Sequence, residues 1–108
     1  MNQFHHEIQN FPSKPSQEFL EKIFILNQEN TPEVGSLSSI EHLRQLIQLS
    51  SYQFYVVKDD EIKGFIICFK EKSSYDSPNY KFFCNTESKF LYIDRIAIKD
   101  SFRRQGIG

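Results

Sequence analysis

At 108 residues the chain suits one domain, since domains run from roughly 50 to 250 residues. A hydrophobic fraction of 39%, with 11 Phe and 5 Tyr, excludes a disordered chain, which is poor in apolar residues. Thirteen Lys and Arg against fourteen Asp and Glu leave a net charge of -1, which argues against a nucleic-acid binder held by overall positive charge.

Residues 4 to 11 open with a weak strand pattern. It carries His5 and His6, but adjacent strand residues point to opposite faces, so the pair makes a poor chelate and no metal is expected. Pro12-Ser13-Lys14-Pro15 then punctuates the chain. Ser16 is placed to cap a first helix, with Glu18 favourable in its first turn. Phe19, Leu20, Ile23, Phe24 and Leu26 recur at helical spacing and form its apolar face. The helix should end over Asn27 to Asn30, because Thr31 precedes Pro32 and the residue before proline is disfavoured in a helix.

A loop over residues 30 to 37 follows from Pro32 and Gly35. Ser38-Ser39-Ile40-Glu41 reads as a capping box, and Ile40, Leu43, Leu46 and Ile47 supply the face of a second helix ending near Ser50. Tyr52 to Lys58 and Ile62 to Phe69 are rich in aromatic and β-branched residues. The short acidic connection Asp59-Asp60-Glu61 makes them an antiparallel hairpin. Their nearly continuous apolar runs suggest cover on both faces, with the two helices on one side.

Residues 71 to 88 form a connection long enough to suggest a lid or binding wall. Tyr75, Tyr80, Phe82 and Phe83 either line a pocket or pin the loop, and pinning is the commoner use of scattered aromatics. Cys68 and Cys84 lie far apart with no CxxC, which supports neither a zinc site nor a disulfide framework. No apolar run approaches the roughly 18 to 20 residues that span a bilayer. The start lacks a secretory pattern, so the expected compartment is the cytoplasm.

Phe90 to Lys99 is the clearest strand. It places Asp94 and Arg95 within an apolar run, facing opposite ways if the strand is regular. A charge buried there needs a partner, so the two are either a structural ion pair with another element or part of a site. The turn after it, Arg103-Arg104-Gln105-Gly106-Ile107-Gly108, has two glycines that let a phosphate approach the backbone and two guanidinium donors. With Lys99 it forms the one concentrated basic patch, diluted by Asp100. It has neither the Lys-Ser/Thr of a Walker loop nor a full GxGxxG.

Strand followed by Arg103-x-x-Gly106-x-Gly108 resembles the acetyl-CoA-binding motif of the GNAT superfamily of N-acetyltransferases. The order of weak strand, two helices, hairpin and strand also resembles the N-terminal half of that family. Residues 30 to 35, 77 to 83 and 90 to 96 resemble blocks of one bacterial branch of it. The resemblance implies an α/β fold of the α+β kind, with a mixed sheet whose N-terminal half has about four mainly antiparallel strands and two helices. Residues 1–108 are then a partial domain that stops within the acetyl-CoA motif. Such a portion alone is expected neither to bind acetyl-CoA well nor to catalyse.

Residue by residue, the resemblance implies that backbone groups of Ile96, Ala97 and Ile98 pair with the pantetheine arm of acetyl-CoA. Backbone N–H groups from Arg103 through Arg104, Gln105, Gly106 and Ile107 to Gly108 hold its pyrophosphate at the start of the next helix. Ile98 and Ile107 are mainly packing residues. The reaction implied is attack of a primary amine, on a small molecule or a peptide, on the thioester. Many members place a base at the position of Tyr92. Asp94, two residues on, is the best replacement here, unless it binds a cationic substrate or pairs with Arg95. A thiol-protonating tyrosine falls in the half of the family domain that lies beyond Gly108. The resemblance involves no metal, nucleic acid or membrane, and it admits a homodimer. The loops 30–37 and 71–88 become substrate walls. Tyr92 in place of a carboxylate keeps open a non-catalytic acyl-CoA- or partner-binding domain of the same fold. A small antiparallel protein whose glycine turn is only a turn is the third reading.

Overall fold

The computed structural model of the chain describes residues 7–70 and 91–103. Strand β1 (Glu7–Asn10) leads to helix α1 (Gln17–Glu29), then α2 (Ile40–Leu49), β2 (Tyr52–Lys58), β3 (Glu61–Lys70), β4 (Leu91–Ile98) and a short helix α3 (Asp100–Arg103). The strands form one antiparallel sheet in the order β1-β2-β3-β4. This is the expected α+β arrangement. His5, His6, Cys84, the 71–88 connection with its aromatics, and Arg104 to Gly108 lie outside the described residues.

Local chemistry sets the helix ends. Ser16 Oγ accepts from the Phe19 N–H at 3.1 Å, which satisfies one of the donors a helix start leaves unpaired. α1 ends at Glu29, before the Thr31–Pro32 peptide, which is cis. In α2 the capping residue is Ser39 and not Ser38: Ser39 Oγ accepts from the His42 N–H at 3.0 Å. His42 Nδ1 in turn accepts from the Ser38 N–H at 3.1 Å. Glu41, expected to close a capping box, instead meets Arg44 at 3.3 Å. His42, three positions after the cap, reaches back past the cap to the N–H of the residue before it, so the arrangement is like a capping box with its second bond one residue early.

The hairpin turns on Asp59 and Asp60, with φ of 56° and 61°. Two successive left-handed residues are what a two-residue turn needs to match the strand twist, and aspartate tolerates that region better than most residues. The sheet then presents two faces. On one, Phe65, Ile67, Phe69 and Ala97 are buried against Leu20, Ile23 and Leu26 of α1 and Leu43 and Leu46 of α2. The other carries two rows across the strands, Ile8-Val56-Gly64-Ile98 and Phe54-Ile66-Ile96. These rows line an apolar groove of about 190 Å³. Among the described residues no helix covers this second face, and Ile96 is 53% exposed.

Gly64 marks the tightest passage between β3 and β4. A Cβ there would sit 3.0 Å from the Ala97 carbonyl oxygen and 3.3 Å from Ile98 Cγ1. Backbone cannot yield as a side chain can, so Gly64→Ala is expected to push β4 outward at Ala97 and Ile98. The expected loss is about 1–3 kcal/mol, read as a lower urea midpoint.

Candidate functional site

Of the site residues named from the sequence, Asp94, Ile96, Ala97 and Ile98 lie on β4 and Arg103 ends α3, while Arg104 to Gly108 lie outside the described residues. In the β3–β4 ladder Ile67 pairs with Arg95 while Cys68 pairs with Ile93, so Asp94 is an extra residue and the strand bulges there. A bulge re-aims side chains and breaks the two-residue alternation. Tyr92 packs against the core before it. After it the inward positions move to odd numbers, with Ala97 1% exposed and Ile96 on the outer face.

The expectation that Asp94 and Arg95 face opposite ways is therefore corrected. Both side chains are buried, at 6% and 9% exposure, and Arg95 Nε donates to Asp94 Oδ2 at 2.9 Å. The regular-strand argument failed because it assumed an unbroken alternation.

The pair is also tied to other elements. Arg95 Nη1 donates to Asn27 Oδ1 at 2.9 Å and to the Gly35 carbonyl at 3.0 Å. Asn27 Nδ2 donates to the same carbonyl at 3.1 Å and to Gln28 Oε1 at 2.9 Å. Gln28 closes the set, accepting from the Leu37 N–H at 3.0 Å and donating to the Leu37 carbonyl at 3.2 Å. One part-buried polar chain thus links the β4 bulge, the last turns of α1 and the 30–37 loop.

Sequence reasoning missed Asn27 and treated it as part of the helix end. A signal was present. Leu20, Ile23 and Asn27 follow the i, i+3, i+7 spacing of one helix face, and a polar residue on an apolar stripe must find a buried partner. Asn27 is 0% exposed.

Beyond the bulge, the Lys99 N–H donates to the Lys63 carbonyl at 2.7 Å, extending the ladder. Lys99 Nζ lies 3.9 Å from Glu29 and 3.7 Å from Glu61, so this cation of the basic patch is shared with two carboxylates. Glu61 also accepts from Lys63 at 2.7 Å, and that hydrogen bond is the main cause holding its carboxyl below the usual range. A cleft of about 400 Å³ lies where β4 ends, lined by Glu29, Asn30, Ile98, Lys99, Asp100 and Ser101.

The turn expected from Arg103 onward is preceded by α3, which Arg103 closes. Asp100 in its first turn suits the positive end of a helix. Cys68 is buried, and burial pushes its thiol above the usual range, which suits packing and not nucleophilic chemistry.

Among the described residues β4 is one edge of the sheet and β1 the other. Ile96, Ala97 and Ile98 pair on one side with Ile66, Phe65 and Gly64, and an edge strand presents its other backbone groups to an extended partner. Fold and sheet order define an α+β domain of one antiparallel sheet and two helices of ten or more residues. A family model, that of the acetyltransferase (GNAT) family, matches residues 14–108, and the chain belongs to this family. Its function is accordingly of the acetyltransferase type, and the family in general uses acetyl-CoA. No curated protein matches the chain. No helix among the described residues is long and apolar enough to cross a membrane.

Proposed function

We propose that the chain is the N-terminal portion of an N-acetyltransferase that moves the acetyl group of acetyl-CoA to a primary amine. The observation that carries this reading is the position of β4: a family-matched strand with Ile96, Ala97 and Ile98 at an edge. Backbone groups of these three residues hold the pantetheine arm as a further strand would be held. Backbone N–H groups from Arg103 to Gly108 receive the pyrophosphate, aided by the guanidinium groups of Arg103 and Arg104.

The amine attacks as the free base. Its nitrogen forms a bond to the thioester carbonyl carbon, the C–S bond breaks, the ammonium proton leaves to a base, and the thiolate takes a proton to give free CoA. Asp94 is the carboxylate on this strand that can serve as that base. Its bond to Arg95 favours a second role, holding Arg95 in place. The two roles separate by the pH dependence of the rate, because a base leaves a limb in the profile and a holding residue does not.

A thiol-release assay of the full-length protein with a panel of amines tests the reading. Release of CoA that depends on an amine is expected; turnover with none of them favours the non-catalytic acyl-CoA-binding alternative. Gly106→Val should weaken acetyl-CoA binding about 10- to 100-fold, because a side chain keeps the phosphate from the backbone N–H donors. The melting temperature should stay within a few degrees. A polypeptide of residues 1–108 is expected to bind acetyl-CoA poorly, since one wall of the cleft is proposed to come from elsewhere in the family domain. Micromolar affinity by calorimetry would overturn that.

A further inference from the structure

We propose that the 30–37 loop forms the amine-side wall that the family resemblance implies, and that Arg95 is a positioning residue that fixes it to the strand proposed to hold the cofactor. The proposal rests on the acetyltransferase reading above. Its basis is the reach of one buried guanidinium: Arg95 Nε bonds Asp94 within β4, while Nη1 bonds Asn27 in α1 and the Gly35 carbonyl in the loop.

An arginine in this place is not explained by stability alone, because apolar residues of similar volume commonly replace buried ion pairs at no loss. What the guanidinium adds is direction. Its planar fork holds several acceptors at fixed angles, which a lysine ammonium on a flexible stem cannot do. Val34 and Leu37 are the loop's buried apolar residues, and the Gly35 carbonyl accepts from both Asn27 and Arg95.

Ile96, the first residue of the proposed pantetheine-binding stretch, is the next residue in the chain. The Arg95 side chain thus ties the loop to the residue next to that stretch. A shift of the loop would change where the amine stands relative to the thioester, and small misplacements of a reactant are costly to rate. A role in cofactor binding itself is not expected, because the Arg95 guanidinium is turned to Asn27 and Gly35 on the helix side of the sheet, while the arm is proposed to take backbone groups at the strand edge.

The test uses the full-length protein with Arg95→Lys, with acetyl-CoA, and with spermidine, tyramine, free lysine and an unblocked peptide as acceptor probes. The KM of the best acceptor should rise about tenfold, as for loss of a charged hydrogen bond, with the KM for acetyl-CoA within about twofold. Amide exchange at Val34 and Leu37, whose N–H groups bond Asn30 and Gln28 within the loop network, should quicken about tenfold while that of β2 and β3 holds. If Arg95→Lys does not fold, Asn27→Ala keeps the Asp94–Arg95 pair and should move the same readouts in the same direction.

Equal rises in both KM values, or a lowered melting temperature with normal kinetics, would overturn the proposal and leave Arg95 a structural residue. If the wild type acetylates none of the amines, the acetyltransferase reading fails separately. Exchange then still decides the fastening of the loop, and unchanged protection at Val34 and Leu37 would sink it.

Discussion

Asp94→Asn is expected to destabilise the fold by about 3–5 kcal/mol, the usual consequence of removing one partner from a buried ion pair. The asparagine keeps the shape of the side chain and can still accept a hydrogen bond, but it no longer balances the Arg95 charge, which stays inside at 9% exposure. Asn27 and Gly35 supply only neutral acceptors. For a domain whose net stability is roughly 5–15 kcal/mol this is a large share, on the order of a 10–20 °C fall in melting temperature for a domain of this size.

The double variant Asp94→Asn with Arg95→Met should recover most of the loss, because it removes the uncompensated charge as well. Near-additive losses would mean that the two residues are not energetically coupled. Rates measured on the folded fraction complete the experiment. A pH profile that keeps its shape removes Asp94 as the base, and a lost acidic limb with a stable fold would restore it.

The parts of the fold that sequence resolves are those decided over a few residues. Ser16 caps α1, two aspartates turn the hairpin, and the apolar spacing of Leu20, Ile23, Leu43 and Leu46 marks the faces that become core. Each depends on neighbours within one or two helical turns or one strand.

What escaped depends on partners far along the chain. The Asp94 bulge is a matter of register between β3 and β4, and no feature of residues 90 to 99 alone distinguishes a bulged strand from a regular one. Asn27 escaped because its partners, Gly35 and Arg95, come together only when the loop folds onto the sheet. The cap at Ser39 escaped for a smaller reason: two adjacent serines fit the same pattern, and the ring of His42 decides between them. The fourth strand was legible as a strand, and the polar network behind it was not.

Phe69→Ala should cost a comparable amount, about 3–5 kcal/mol, and with its partner substitution it identifies which face of the sheet carries the core. Phe69 is 0% exposed and stands opposite Tyr92 in the ladder, on the face covered by the two helices. Truncation leaves a cavity that neither rigid helix can close, so the transfer free energy and the cavity contribution add. Ile93, also on β4, is 53% exposed. In a polypeptide of residues 1–108, Ile93→Ser should change stability by only about 0.5 kcal/mol, as for surface positions generally. Urea unfolding of the two variants side by side reads the difference. Comparable losses would show that the second face is packed as tightly as the first, so that the helices are only half of what holds the sheet.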